Sequence, residues 1–173
     1  MFNLPELLRK LPSPCPGDAD PRLRELYEAD QADRQGRELP PEAVDRDSEH
    51  QRTVMSLLAD GQVRTAPDFY HAAMVFQHGS LPEHNHLSFE LACRAADAGC
   101  RDARWLAAAA LDRWLTRKGL PQRFGTQYFR EGAEWEFYPV DPATTDEERL
   151  AWDVPPLALA HERLVAMNEE LRA

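Results

Sequence analysis

Four groups of strongly polar residues lie where the surrounding pattern predicts the protein core. The first is Asp30-Gln31-x-x-Arg34, in which Asp30 and Arg34 stand four residues apart on one helix face and can form an ion pair. The second is Gln77-His78, which ends a predicted apolar helix. Because polar groups in a core cost free energy unless they are paired, each group needs a partner or a ligand.

The other two groups come later in the chain. Asp112 and Arg113 follow four consecutive alanines, and adjacent residues do not face each other on a helix, so at least one must find a partner elsewhere. Gln122 and Gln127 bracket a loop in which Gly125 lets the backbone approach closely. Each glutamine carries an uncharged donor and acceptor, which suits hydrogen-bond recognition of a polar molecule.

Each group also has a purely structural explanation. Asp30 and Arg34 can form a solvated helical pair worth a few tenths of a kcal/mol. His78 can cap the end of its helix, where a protonated imidazole is favoured. Asp112 and Arg113 can form salt bridges between helices. Taken one group at a time, the residues leave both explanations open.

Histidines and carboxylates also occur together, but no zinc motif is present. An H-x-H spacing puts its two rings on different sides of a helix, and neither H-E-x-x-H nor C-x-x-C occurs. Two His with one carboxylate can bind iron. The two sets considered are Glu83, His84 and His86 with His71 and His78, and Asp47, His50 and His78. The sequence indicates no cofactor, and we assign no metal ligand.

The composition argues against several functional classes. A net charge of -10 over 173 residues argues against nucleic-acid and anionic-membrane partners, which attract clustered Lys and Arg. Cys15, Cys93 and Cys100 lack redox or zinc spacing, so we expect free thiols in a reduced compartment. No signal-peptide core or membrane-length apolar stretch is found, which predicts a cytoplasmic protein.

Glycines and prolines mark the elements that must position the polar groups. Gly61, Gly79, Gly99 and Gly119 each follow a segment of helical composition, as glycines after helix ends do. Asp20 before Pro21 predicts an N-cap, and Ser80 to Glu83 predicts a capping box. These signals predict helices over 21–35, 41–60, 67–78, 82–98 and 102–118.

The chain changes character after Gly119. Alternating aromatic and acidic residues predict a β-hairpin around Glu131-Gly132, and Thr145 with Glu148 predicts a capped short helix. An amphipathic helix over 157–171 follows. We expect a mainly α fold, a compact antiparallel bundle of repeat-like helical hairpins, with 69–76 and 105–115 in its central helices. We assign 1–19 to an N-terminal arm and proline-rich linker that docks on the domain, and 20–173 to one helical domain.

The polar groups, in their order along the chain, resemble the motifs of an uncharacterised bacterial domain-of-unknown-function family. The matching pieces run from residue 30 to residue 127 and comprise Asp30-Gln31 with Arg34, Asp47 and His50 before Gly61, Gln77-His78, Asp112-Arg113, and Gly119 to Gln127. His50 is a departure, since the family more often has Asn there. The resemblance implies no known activity, but it does imply that the four groups belong to one shared polar site.

This leads to a hypothesis of a pocket that binds, and acts on, a small polar or anionic ligand. His78 would be the general acid or base, oriented by Asp30 or Asp112 as further catalytic residues. Ligand contacts would come from Gln31, Arg34, Gln77, Arg113, Gln122 and Gln127, with either arginine pairing an anionic group. The rival is a non-catalytic helical module that binds a protein partner and whose polar residues form a structural network. The residues do not decide between an enzyme and a binding protein.

Overall fold

The computed structural model describes residues 4–36 and 39–172, and these are mainly α-helical, as predicted. Between them they form eight helices and one two-stranded antiparallel hairpin. The elements are α1 (Leu4–Lys10), α2 (Pro21–Ala32), α3 (Ala43–Ala59), α4 (Ala66–Gln77), α5 (Pro82–Asp97), α6 (Asp102–Arg117), β1 (Tyr128–Glu131), β2 (Glu134–Phe137), α7 (Asp146–Ala151) and α8 (Leu157–Arg172).

Of the four glycines that follow helical segments in the sequence, three end helices in the predicted way. Gly61, Gly99 and Gly119 have φ angles of 64°, 94° and 72°, in the left-handed region that glycine adopts without strain. Gly79 has a different role, because a Cβ at this position would overlap the side chain of His84. This glycine is therefore needed for the close approach between the end of α4 and the start of α5.

The helix starts confirm two capping predictions and correct a third. Asp20 caps α2 by accepting a hydrogen bond from the backbone N–H of Arg22, and Thr145 forms the predicted capping box with Glu148. The predicted box at Ser80 is wrong: the N-cap of α5 is Leu81, and it makes no side-chain capping bond. Pro82 explains the difference, since proline favours the first helical position and so moves the start one residue along.

The chain divides into two compact units, the first ending at Ala107 and the second beginning at Ala108. In the first unit α4 packs against α2, α3 and α5, and its side chains Phe69 and Phe76 are fully buried. The apolar character of α4 correctly predicted this central position. The division of the sequence into an arm over 1–19 and one domain over 20–173 stays a prediction.

The N-terminal helix α1 lies against α5, which confirms that the arm docks. Leu4 and Leu11 are buried, and Arg94 Nη2 donates a 2.9 Å hydrogen bond to the carbonyl oxygen of Leu8. The backbone N–H of Cys15 donates to the carbonyl of Arg64 at 2.8 Å, so the segment after α1 is also held.

The second unit contains the later part of α6, the hairpin, α7 and α8. Its core is formed by Ala108, Phe124 and Val154. In the hairpin Tyr128 pairs with Phe137, and α8 packs on β2. The Asn168 side chain accepts a 2.7 Å hydrogen bond from the backbone N–H of Trp135 and donates a 2.9 Å bond to its carbonyl oxygen.

None of the helices in residues 4–36 and 39–172 combines the length and the apolar character that a membrane crossing requires.

Replacing Asp68 by Asn is expected to lower the free energy of unfolding by about 2–4 kcal/mol. The buried Asp68 carboxylate accepts backbone N–H bonds from Asp20 at 2.7 Å, Arg64 at 3.0 Å and Thr65 at 2.9 Å. In an Asn side chain one carboxylate oxygen is replaced by an NH₂ group, which would face at least one of these backbone N–H groups and could not accept its hydrogen bond. Urea denaturation followed by circular dichroism measures the change. The exposed Asp45→Asn is the matched control, and an equal effect of both substitutions would contradict the role of Asp68.

Candidate functional site

The first unit brings together side chains from the end of α2, the first part of α3 and the end of α4. We call this group the Asp30 cluster: Asp30, Gln31, Arg34, Asp47 and His78. The end of α2 contributes the first three residues because positions 30, 31 and 34 follow one another within its last turn and just beyond it. His78 is the C-cap residue of α4, and this helix end brings its ring against Asp30.

Asp30 is the centre of this cluster. Its side chain is 1% exposed, and both of its oxygens lie 3.0 Å from Nδ1 of His78. Gln31 Nε2 donates to Oδ2 at 2.8 Å, and Arg34 Nη1 lies 3.0 Å from Oδ1. The carboxylate is therefore held by three side chains from two helix ends, which fixes its orientation.

Arg34 connects two carboxylates. In addition to its contact with Asp30 Oδ1, its Nη1 donates to the Asp30 backbone carbonyl at 2.8 Å, and its Nη2 donates to Asp47 Oδ2 at 2.7 Å. The pair is largely buried, so it is not the solvated helical pair that spacing alone also allowed. Two carboxylates share one guanidinium, and the cluster keeps one uncompensated negative charge while His78 is neutral.

His78 combines a fixed ring with access to solvent. Nδ1 faces Asp30, whereas the side chain as a whole is 17% exposed. Within residues 4–36 and 39–172 no hydrogen bond to Nε2 occurs. A carboxylate at Nδ1 selects the tautomer in which Nε2 accepts a proton, and it stabilises the imidazolium that forms. The arrangement can therefore move a proton at Nε2.

Gln77 precedes His78 and is buried at the end of α4. Its carbonyl oxygen accepts a 3.1 Å hydrogen bond from Nδ2 of the fully buried Asn85 on α5. This bond satisfies one of the carbonyl groups that the end of α4 leaves without a helical partner. Asn85 thus holds the helix end that carries His78, a role that no motif or spacing in the sequence indicated.

Asp47 belongs to the cluster but was not among the predicted site residues. Its contact with Arg34 joins residues that are 13 positions apart in the sequence and lie on different elements. Helical spacing predicts contacts only between residues three or four positions apart, so it could not predict this pair. The family resemblance and the alternative iron set had marked Asp47 without giving it this partner. His50 lies one turn further along the same face of α3.

The second unit contains a separate set of polar residues, which we call the Asp112 cluster: Asp112, Arg113, Gln122, Thr126 and Gln127. Asp112 is fully buried and accepts four hydrogen bonds, from the backbone N–H groups of Arg123 (2.7 Å), Phe124 (2.9 Å) and Thr126 (3.0 Å) and from Oγ1 of Thr126 (2.9 Å). Burial raises the pKa of Asp112, although the bonds from the loop act in the opposite direction.

The two glutamines of this cluster bind within the protein, Gln122 to backbone groups and Gln127 to α6. Gln122 donates from Nε2 to the carbonyls of Gln127 at 3.0 Å and Tyr138 at 2.9 Å, and its Oε1 accepts from the backbone N–H of Gln127 at 2.8 Å. Gln127 Oε1 accepts a 2.9 Å bond from Arg113 Nε. The hydrogen-bonding capacity that suggested ligand recognition is used here by backbone groups and by the side chains of Arg113 and Thr126.

Gly125 and Arg149 complete the packing of the loop. Gly125 has a φ of 85°, and a Cβ there would lie 3.1 Å from both Leu157 and Phe137. Arg149 is buried and donates from Nε to the carbonyl of Phe124 at 3.0 Å. Sequence reasoning missed Arg149, because an arginine in a short polar helix is typical of a solvated surface.

The structure thus places the predicted site residues in two networks, each within one unit. Asp30, Gln31, Arg34 and His78 contact one another in the first, and Asp112, Arg113, Gln122 and Gln127 are linked in the second. A single site that unites both networks stays a prediction. Over the described residues no group of three or more His, Cys, Asp or Glu side chains could hold a metal ion.

No family model, no curated protein and no solved structure matches this chain. The resemblance to the bacterial domain-of-unknown-function family stays a prediction based on its motifs. The geometry of the two clusters is what supports a functional proposal.

Replacing Asp112 by Asn is expected to cost about 2–4 kcal/mol of stability, because the new amide group would face a backbone donor. The amides of Phe124 and Thr126 should also lose protection against hydrogen exchange, since their acceptor is the Asp112 carboxylate. Hydrogen–deuterium exchange by NMR measures this residue by residue. The exposed Glu162→Gln on α8 serves as the control. Unchanged protection at both amides would show that Asp112 does not hold the loop.

Proposed function

We propose that the Asp30 cluster is the binding site for a small polar ligand and that His78 transfers a proton there. The observation that carries the proposal is the contact of His78 Nδ1 with both oxygens of the buried Asp30, each at 3.0 Å, in a side chain that keeps contact with solvent. An imidazole oriented by a carboxylate is the usual general acid or base of proteins.

The residues of the Asp30 cluster have different roles in this proton transfer. Asp30 orients the ring and stabilises its protonated form, while Nε2 of His78 exchanges the proton with the ligand. Gln31 and Arg34 are positioning residues, because both contact the Asp30 carboxylate and hold it against the ring. Carboxylates and imidazoles arranged in this way typically contribute about 10²–10⁴-fold to a proton-transfer step.

The contacts of Arg34 bear on the charge of the ligand. Its guanidinium already bonds to the carboxylates of Asp30 and Asp47, so an anion at this site would compete with two buried carboxylates. It would also meet the negative charge that the pair leaves uncompensated. The geometry therefore favours a neutral or cationic polar ligand over the anionic one that the sequence also suggested.

A second candidate function is the non-catalytic interaction module, and the Asp112 cluster favours it for the second unit. Both oxygens of Asp112 and both amide atoms of Gln122 are occupied by the loop itself. We propose that this cluster positions the loop and contacts no ligand.

The ligand-binding proposal predicts that substituting His78 abolishes binding of a small polar compound. A defined panel would contain acetate, phosphate, glucose, adenosine and n-butylammonium, each measured by saturation-transfer NMR. We expect at least one compound to bind the unmodified protein, and His78→Gln and Asp30→Asn to weaken that binding at least about tenfold through loss of a charge-assisted bond.

The matched control is His161→Gln, which removes an exposed imidazole from the second unit. Circular dichroism would verify that every variant retains its helices. Binding that survives in His78→Gln, or no binding by any member of the panel, would contradict the proposed site. Equal loss in His161→Gln would show that the effect is not specific to the Asp30 cluster.

A further inference from the structure

Two buried polar atoms on α3 have no hydrogen-bond partner among the described residues. Oδ1 of Asp47 and Nδ1 of His50 are each shielded from solvent, and no residue in 4–36 or 39–172 bonds to either atom. The Asp47 side chain is 10% exposed, and its other oxygen, Oδ2, is the one that Arg34 contacts. A buried carboxylate oxygen without a donor is rare in folded proteins because its lost hydration is not replaced.

The two atoms belong to one place on the molecule. Asp47 and His50 are three residues apart on α3, so their side chains leave the same face of the helix, one turn from each other. Because Arg34 binds Asp47 from the α2 side, this face of α3 adjoins the Asp30 cluster. A ligand held between Asp47 and His50 would therefore reach the site proposed above.

The charges around Asp47 and His50 favour a cationic ligand over an anionic one. Arg34 is shared by Asp30 and Asp47, and Arg46 is paired with Asp33 at 2.6 Å, so neither guanidinium is left to attract an anion. Asp47 Oδ1 can only accept, and the neutral His50 Nδ1 accepts in one of its two tautomers. With His50 in that tautomer, both atoms can bind a donor, and the surplus negative charge of Asp30 and Asp47 favours a donor that carries positive charge.

We infer that the ligand of this site is a primary amine in its protonated form, whose ammonium group binds Asp47 Oδ1 and His50 Nδ1. An ammonium group has three donors and no acceptor, which matches two adjacent acceptors and the uncompensated negative charge. The inference rests on the proposed function, because it assigns a ligand class to the Asp30 cluster and its neighbour His50.

The test uses three probes of one size and shape that differ in charge: n-butylammonium chloride, sodium butyrate and 1-butanol. Each is titrated into the full chain labelled with nitrogen-15 and carbon-13, and the shifts of the α2, α3 and α4 amides and of the His50 ring are followed. We expect saturable shifts with n-butylammonium and none with butyrate or butanol. Equal shifts with butyrate would overturn the inference.

Two substitutions test the assigned contacts. Asp47→Asn and His50→Gln are each expected to weaken n-butylammonium binding at least about tenfold. The first removes the negative charge that pairs with the ammonium group, and the second replaces the fixed ring nitrogen by a flexible amide that no longer holds an acceptor at that point. Asp45→Asn is the control, because it makes the same charge change at an exposed position on the same helix. His50→Gln leaves the Arg34 contact of Asp47 in place, so it tests the inference even where Asp47→Asn reduces folding.

The outcomes separate this inference from the proposed function. Binding of n-butylammonium that is unaffected by both Asp47→Asn and His50→Gln would overturn the ammonium assignment. If n-butylammonium does not bind but butyrate or another panel compound does, and that binding is lost in His78→Gln, the ammonium assignment is overturned while the proposed polar site stands. Absence of binding by every probe and every panel compound would overturn both.

Discussion

The burial of carboxylates at helix ends is the constraint on which this structure depends. A buried carboxylate costs several kcal/mol unless its oxygens receive donors, so each one dictates the position of the groups around it. Asp68 and Asp112 receive mainly backbone N–H groups, which ties α4 to Asp20 and holds the loop after α6. Asp30 and Asp47 receive side chains instead, and side chains can rearrange without breaking secondary structure.

This difference in donors separates the two clusters in their capacity for chemistry. Both oxygens of Asp112 accept bonds from backbone N–H groups, and a proton or ligand would have to displace part of the loop. Around Asp30 the donors include the ring of His78 and an arginine shared with Asp47. Such a network can accept a proton or an additional group at one edge while the helices stay in place.

Local signals predicted most of the secondary structure, and contacts between distant residues account for most of what they missed. Proline at 21 and the glycines at 61, 99 and 119 act on their own backbone, so their effects could be read directly. The pairing of Arg34 with Asp47 could not be predicted, because it depends on how two helices meet. Gln122 and Gln127 were predicted to bind a ligand because their capacity for hydrogen bonds was visible, whereas the folded loop that uses it was not.

The hairpin in the second unit is only two strands wide, which would leave the backbone of β2 open along its outer side. Asn168 on α8 fills one such position, since its amide bonds to both the N–H and the carbonyl of Trp135 as a neighbouring strand would. Exposed strand edges promote sheet extension between molecules and amyloid-like assembly. Asn168 therefore occupies the two backbone groups of Trp135 that a strand of another molecule would need for pairing at this position.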